Sequence, residues 1–128
     1  MGDHRSRRLG EACGLTKLGV NWVTLAPNAQ SALRHWHTLE DEFVYVLSGE
    51  VTLVTDAGEQ LLTSGMCAGY PAGNRDGHHL INQSDQPVLY LEIGSRIEGD
   101  SCFYPDDDMM WIDAEDGFRA AHKDGSAY

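Results

Sequence analysis

The sequence has few cysteines, and none of them are close together. Cys13, Cys67 and Cys102 are widely spaced, their number is odd, and no CxxC pair occurs. Such a set argues against a disulfide framework and against a thiolate zinc site, and it favours a reducing cytoplasm. Because Cys67 and Cys102 have apolar neighbours in the sequence, we expect both thiols to lie in the core.

Lysines and long hydrophobic runs are also scarce. Lys17 and Lys123 are the lysines of a 128-residue chain whose formal net charge is −11. A surface this acidic repels phosphate backbones and anionic lipid, so nucleic acids and membranes are poor partners. No run approaches the roughly 20 apolar residues that cross a bilayer, and no hydrophobic stretch follows the charged N-terminus. We therefore expect one cytoplasmic domain with a small-molecule ligand.

Extended helical periodicity is missing before residue 105. Short β-rich segments separated by Gly, Pro, Asn and Asp predict an all-β sandwich or small barrel. They span 18–27, 42–49, 50–58, 59–65, 66–73, 78–87 and 88–96. The chain then turns acidic from about residue 105, and we predict an extended or loosely packed tail over 113–128.

The stretch HWHTLEDEF, residues 35–43, is the first candidate site. In a strand, residues two apart point to one face, so His35 and His37 project together. This is a simple way to aim two imidazoles at one ion. His-x-His beside acids also occurs in solvated hairpins, so a polar turn without a metal is the alternative.

Three consecutive acids follow these histidines, and the next strand selects one of them. Val44 and Val46 share a face with Glu42, and branched aliphatic residues fill small barrels. Glu42 is therefore the acid that we expect at the inner end of the strand. Asp41 would lie on the opposite face, and Glu40 would meet solvent in the turn.

A second source of histidine lies at His78 and His79. Because adjacent strand residues face opposite ways, only one of them can reach the same ion. Three imidazoles and a carboxylate form a site that suits one divalent transition metal, and Zn, Fe, Mn, Ni, Co and Cu all remain open. Calcium and magnesium prefer shells made entirely of oxygen and are disfavoured.

These residues resemble two motifs of the cupins. The first motif, G-x5-H-x-H-x3,4-E-x6-G, is matched in register by His35, His37, Glu42 and Gly49. The second, G-x5-P-x-G-x2-H-x3-N, is matched by the set Gly65, Pro71, Gly73, His78 and Asn82. Its spacing favours His78 over His79 as a ligand.

The chain departs from the cupin motifs at two points. Ala29 replaces the first glycine, beside Asn28, a residue type that tolerates a left-handed turn. Four residues rather than two separate Gly73 from His78. The resemblance covers about residues 18–95 and implies a jelly-roll barrel with a metal held by His35, His37, Glu42 and His78. It also implies a homodimer, since family members are often dimers.

Three further residues are candidates for binding a substrate. Arg75 lies in the enlarged loop and could meet an anion, although a surface arginine is the simpler interpretation. Tyr90 and Glu92 alternate with leucine and isoleucine residues in the last strand. If this polar set faces the barrel, Glu92 is a candidate acid–base group, and the opposite orientation places both residues outside. The alternation does not settle which set faces inward, and the outer face is the simpler interpretation.

Three functions are compatible with these residues. The first is a metal-dependent enzyme, of dioxygenase, isomerase or lyase type, that acts on a small polar organic molecule. The second is a non-catalytic binding or sensor module, and the third is a structural role with the metal as a staple. A phosphosugar substrate would be expected to need more inward cations than the sequence offers.

Overall fold

The computed structural model describes residues 4–32, 34–106, 110–114 and 117–121, the last two ranges as backbone only. One short helix, α1, spans Leu9–Ala12. The strands are β1 (His4–Arg8), β2 (Leu18–Leu25), β3 (Trp36–His37), β4 (Glu42–Ser48), β5 (Glu50–Thr55), β6 (Gly58–Thr63), β7 (Cys67–Tyr70), β8 (His79–Ile81), β9 (Val88–Ser95), β10 (Ser101–Phe103), β11 (Met110–Ala114) and β12 (Gly117–Ala121).

The strands form three antiparallel sheets. Their orders are β1-β2-β9-β4-β7, β6-β5-β8 and β12-β11-β10-β3. The first two sheets share one hydrophobic core, to which β2, β4, β5, β6, β8 and β9 contribute buried side chains. Strands that alternate between sheets in this way form a jelly roll. The prediction of an all-β jelly-roll fold is confirmed.

Strand β4 shows the face alternation that was expected from its sequence. Val44 and Val46 are buried, with 4% and 0% of their surface exposed, whereas Phe43 and Tyr45 are 37% and 39% exposed. Because successive side chains of a strand point to opposite faces, Glu42 lies on the inner face with the two valines.

Strand β9 has its polar set on the inner face. Tyr90 is fully buried, and Glu92 is paired in register with Asn21 of β2 and with Val44 of β4. The slight preference for an outer orientation of these residues was therefore wrong. Alternation defines the two faces of a strand, but contacts with β2 and β4 decide which face is inside.

The C-terminal segment is more regular than expected. Strand β10 pairs with both β3 and β11, and β11 pairs with β12. Of the predicted extended or loosely packed tail over 113–128, residues 113–114 and 117–121 are extended but not a free tail, because their backbone groups pair in a sheet with β10. Residues 122–128 lie outside the described part of the chain.

The cysteines differ from the prediction in one case. Cys102 is buried as expected, but Cys67 is exposed. Cys67 pairs in register with Tyr45, so its side chain follows the outer face of the sheet. Within the described ranges, no helix has the length and apolar character needed to cross a bilayer.

Candidate functional site

Backbone pairing brings the two histidine segments together. The amide of His35 donates to the carbonyl of His78, and the amide of His78 donates to the carbonyl of His35, at 3.1 and 2.8 Å. His37 follows in β3, and Glu42 begins β4. The two segments predicted to supply metal ligands therefore meet directly inside the barrel.

The four side chains converge on one carboxylate oxygen. The Oε1 atom of Glu42 lies 3.1 Å from Nε2 of His37 and 3.1 Å from Nε2 of His78. The Nε2 atom of His35 lies 3.6 Å from the same oxygen. Donor atoms bound to one transition metal at about 2.0–2.2 Å lie roughly 3 Å or slightly more from one another. The spacing of this group suits a shared ion.

Several polar atoms of this group are buried without a hydrogen bond in the described structure. They include Oε1 of Glu42 and both ring nitrogens of His78. Such atoms are costly to leave unsatisfied, by about 1–3 kcal/mol each and more for a charged group. Because Oε1 of Glu42 has no hydrogen-bond partner, its 3.1 Å contacts with His37 and His78 do not have hydrogen-bond geometry. A cation between these atoms would satisfy them.

The charges of the site shift the pKa values of its members. Burial lowers the pKa of His37, but Glu42 and Asp100 outweigh burial and raise this pKa to about 9. Burial raises the pKa of Glu42, yet the three histidines hold it far below its usual range. Burial dominates at His78 and lowers its pKa. The site therefore carries an ionised carboxylate whose charge attracts a cation.

Asp100 is a site residue that sequence reasoning missed. Its carboxylate Oδ2 lies 2.7 Å from Nδ1 of His37, and the residue is fully buried. The two residues are separated by 63 positions along the chain. No spacing motif relates them, and the acidic composition of the C-terminal region gave no reason to single out this aspartate.

Two further residues adjoin the site. Glu40 was expected to meet solvent, but it is half-buried, and its Oε2 accepts a hydrogen bond from the Ile97 amide at 3.1 Å. The thiol of Cys102 lies within 4.8 Å of donor atoms of His35 and His37. Burial raises the pKa of this thiol to about 12, so it remains protonated near neutral pH.

A cavity of about 290 Å³ opens onto this group. The ring of Tyr70 stacks on that of His78, with ring centres 3.6 Å apart and planes within 5°. The lining residues are His4, Ser31, Ala32, His35, His37, Glu42, Val44, Tyr70, His78, His79, Leu80 and Glu92. A second cavity, of about 220 Å³, reaches His37, Glu42 and Glu92 from another side. The group is thus accessible to a small molecule.

The predicted substrate residues occupy different positions. Glu92 lines both cavities. Its Oε1 atom accepts a hydrogen bond from the side-chain amide of Asn21 at 3.2 Å. Tyr90 is buried beneath the site, and its hydroxyl, like that of Tyr70, has no hydrogen-bond partner in the described structure. Arg75 is exposed and is not among the residues that line either cavity.

His79 does not join the converging group. Its Nδ1 lies 2.9 Å from the carbonyl oxygen of Ala32, although the residue lines the larger cavity. His78 is the member of the adjacent pair whose Nε2 reaches Glu42.

Comparisons with known proteins agree with this architecture. A family model described as a cupin domain matches residues 21–94. A crystal structure from Silicibacter pomeroyi, described as a sugar phosphate isomerase from a cupin superfamily, is 44% identical, with a TM-score of 0.94 over 98% of this chain and 80% of that one. A protein from Acidithiobacillus ferrooxidans, named as a proposed sugar phosphate isomerase, is 26% identical, with a TM-score of 0.88 over 98% of this chain and 80% of that one.

More distant structures share the fold alone. The polyketide cyclase RemF from Streptomyces resistomycificus is 22% identical, with a TM-score of 0.63 over 72% of this chain and 64% of that one. No curated protein sequence matches this chain at a significant level.

Proposed function

The chain belongs to the cupin family, and on that premise we propose that it is a metal-dependent isomerase of a small hydroxy-carbonyl compound. The observation that carries this proposal is the convergence of three histidine Nε2 atoms on one oxygen of Glu42, beside the carboxylate of Glu92 in the same cavity. The reaction class follows the names of the two relatives that cover 98% of this chain.

The proposed metal ligands are His35, His37, Glu42 and His78. Imidazole and carboxylate donors suit a divalent transition metal, and this donor set does not select among Zn, Fe, Mn, Ni, Co and Cu. When bound, such an ion would polarise a carbonyl group and orient a neighbouring hydroxyl group. The remaining work falls to side chains that are not ligands.

Glu92 is the proposed acid–base residue. An isomerisation of this class removes a proton from the carbon that carries the hydroxyl group and delivers one to the adjacent carbonyl carbon. The hydroxyl proton moves to the former carbonyl oxygen, so atoms and electrons balance without an oxidant. Glu92 can accept and return the carbon-bound proton, and the amide of Asn21 holds one of its oxygens in place.

The two tyrosines are proposed to donate hydrogen bonds within the site. Burial, followed by the charges of Glu42 and Glu92, raises the pKa of Tyr70 well above its usual value. Burial, with the charges of Glu92 and Tyr70, does the same for Tyr90. Both hydroxyls therefore keep their protons at neutral pH. Tyr70 lines the cavity and is suited to contact a substrate oxygen, with Tyr90 behind it.

The cation content of the cavities bears on the substrate. The described lining of the larger cavity contains no lysine or arginine, and in the smaller one Arg96 is paired with Glu11 at 3.2 Å. A phosphate dianion normally requires such cations. We therefore propose that the preferred substrate is uncharged or carries its anionic group outside the larger cavity, and Arg75 in the nearby loop is a weaker candidate to receive it.

The test is turnover with defined metal content. Protein purified without chelator or metal-affinity resin would first be assayed for bound metals, then loaded separately with each candidate ion. Phosphorylated and unphosphorylated aldoses and ketoses would be incubated in D₂O and followed by NMR. Isomerisation with deuterium incorporated at the carbon that receives the proton is the expected result. If fully metal-loaded protein returns every compound unchanged, the proposal of an enzyme is refuted. Tight binding of one of these unchanged compounds would then identify a binding module.

The variant Glu92→Gln tests the role of this carboxylate. Because glutamine keeps the shape but cannot accept the proton, we expect turnover to fall by about 10²- to 10⁴-fold with metal content unchanged. Glu50→Gln, at an exposed position of β5, is the matched control and should behave as wild type. Unchanged turnover of Glu92→Gln would remove Glu92 from the mechanism.

A further inference from the structure

We infer that Asp100 is a positioning residue that orients His37 as a ligand, an inference that rests on the proposed metal site. Asp100 ends the connection between β9 and β10 and is fully buried. Buried carboxylates are retained only when hydrogen bonds or charges compensate their lost hydration. The contacts of Asp100 therefore indicate what it is there to hold.

The two carboxylate oxygens hold different parts of the structure. Oδ1 accepts hydrogen bonds from the amides of Leu39 and Glu40, at 2.8 and 3.1 Å, and from the hydroxyl of Thr38 at 3.4 Å. This oxygen secures the turn between β3 and β4. Oδ2 contacts Nδ1 of His37 at 2.7 Å. The turn and the imidazole are thus held by separate atoms of one side chain.

The contact at Oδ2 decides which ring nitrogen of His37 can bind a metal. A carboxylate only accepts hydrogen bonds, so Nδ1 of His37 must carry the proton. In the neutral ring that binds a metal, Nε2 then keeps its lone pair, and it is this atom that lies 3.1 Å from Oε1 of Glu42. A histidine ligand held by a carboxylate through its other nitrogen has a fixed tautomer and a fixed ring orientation.

The neighbouring acid Glu40 does not compete for this role. Glu40, His37 and Asp100 have donor atoms within 4.8 Å of one another. The Oε2 atom of Glu40, however, accepts a hydrogen bond from the backbone amide of Ile97. This bond connects the turn to the segment that carries Asp100. Glu40 therefore supports this segment, and Asp100 supports the ring.

The segment that carries Asp100 is paired with the strand that carries His37. The amide of Thr38 donates to the Ser101 carbonyl, the amide of Ser101 donates to the Thr38 hydroxyl, and Cys102 is in register with His37. Asp100 lies beyond residues 21–94, the range matched by the cupin model. The C-terminal segment thus contributes a component of the site that the core barrel does not contain.

The variant Asp100→Asn separates the two functions of the carboxylate. Asparagine retains an oxygen for the turn amides but presents an NH₂ group to Nδ1 of His37. Nδ1 must then accept a hydrogen bond from this NH₂ group, so the ring proton moves to Nε2. The Nε2 atom then has no lone pair and is lost as a ligand. We expect the affinity for Zn²⁺ and Co²⁺, measured by competition with a chelating dye, to fall by about 10- to 100-fold.

Two controls distinguish orientation of the ring from a general structural effect. Asp85→Asn, at an exposed turn position, makes the same change in charge and should keep wild-type affinity. In a double-mutant cycle with His37→Ala, Asp100→Asn should cause no further loss, because it acts through the absent imidazole. Losses that simply add would overturn the inference.

A spectroscopic measurement on the wild-type protein covers the case in which Asp100→Asn fails to fold. In the zinc-loaded protein, ¹⁵N NMR of the histidine rings should find a proton on Nδ1 of His37 and metal on Nε2, whereas metal on Nδ1 would overturn the inference. Wild-type affinity in a folded Asp100→Asn protein would overturn this inference alone. A wild-type protein with no affinity for Zn²⁺ or Co²⁺ would refute the proposed function as well.

Discussion

Glu42 shares its strand face with buried aliphatic side chains that make its surroundings less polar. Val44 and Val46 follow it on the inner face of β4 and are buried, while His37 and His78 surround its carboxylate. A charged group in this position is tolerated only with opposite charge nearby. In the metal-free protein the protonated His37, whose pKa is raised to about 9, supplies that charge, and in the proposed holoprotein a cation would do so.

The pKa of His37 predicts how the stability of the metal-free protein varies with pH. The pKa is raised from 6.5 to about 9 in the folded state, so the protonated ring stabilises folding. This contribution is complete below about pH 6.5, is lost as the pH rises through about 9, and amounts to at most about 3 kcal/mol.

Urea unfolding in the presence of a chelator, at intervals between about pH 6 and about pH 10, measures this contribution. His37→Gln should lose the part of the pH dependence that belongs to the ring. The same decrease in both proteins would show that another group is responsible.

At the scale of single elements, the two motifs act through tight turns as well as through ligands. Asn82 is fully buried. Its side-chain amide donates hydrogen bonds to the backbone carbonyls of Leu25 and Gln86, at 2.9 and 2.7 Å. Asn28 has a φ of 66°, which agrees with the left-handed turn expected beside Ala29. These residues fix the loops between the two sheets, and the loops in turn place the strands that carry the histidines.

Two motif glycines allow a comparison at the same scale. Gly49 and Gly65 have φ values of 85° and 87°, but a Cβ atom at Gly49 would lie 2.9 Å from the Pro87 carbonyl oxygen, whereas one at Gly65 would meet nothing within 4 Å. We expect Gly65→Ala to cost about 1 kcal/mol from backbone strain, and Gly49→Ala to cost about 1–3 kcal/mol more because backbone atoms must move.

Chemical denaturation of both alanine variants provides the measurement, with Gly65→Ala as the matched control for backbone strain. Equal losses of stability would mean that the approach of the Pro87 carbonyl has no energetic consequence.

At the scale of the whole molecule, the outer face of the five-stranded sheet carries an apolar patch across β2, β9 and β4. Trp22, Phe43 and Tyr45 are 37%, 37% and 39% exposed, and Leu91 lies between Trp22 and Tyr45 in register. These aromatic residues do not lie in the core, and the homodimer stays a prediction.

Sedimentation velocity tests the dimer. If this face is the interface, Tyr45→Lys should shift the wild-type dimer to monomer by placing a charge among apolar side chains. Leu61→Lys, at a position of β6 that is 51% exposed, is the control and should leave the dimer intact. A wild-type protein that is monomeric at all accessible concentrations would contradict the prediction.

The sequence by itself determined the seven strands β2 and β4–β9, the jelly-roll class and the inner face of β4. It also identified His35, His37, Glu42 and His78 as a group, because motif spacing and two-residue alternation are local properties. Only the tertiary structure decided that β9 turns Tyr90 and Glu92 inward, that Cys67 faces outward, and that Asp100 holds His37. These features depend on which face of a strand is covered and on hydrogen bonds between distant segments, and no local pattern encodes either.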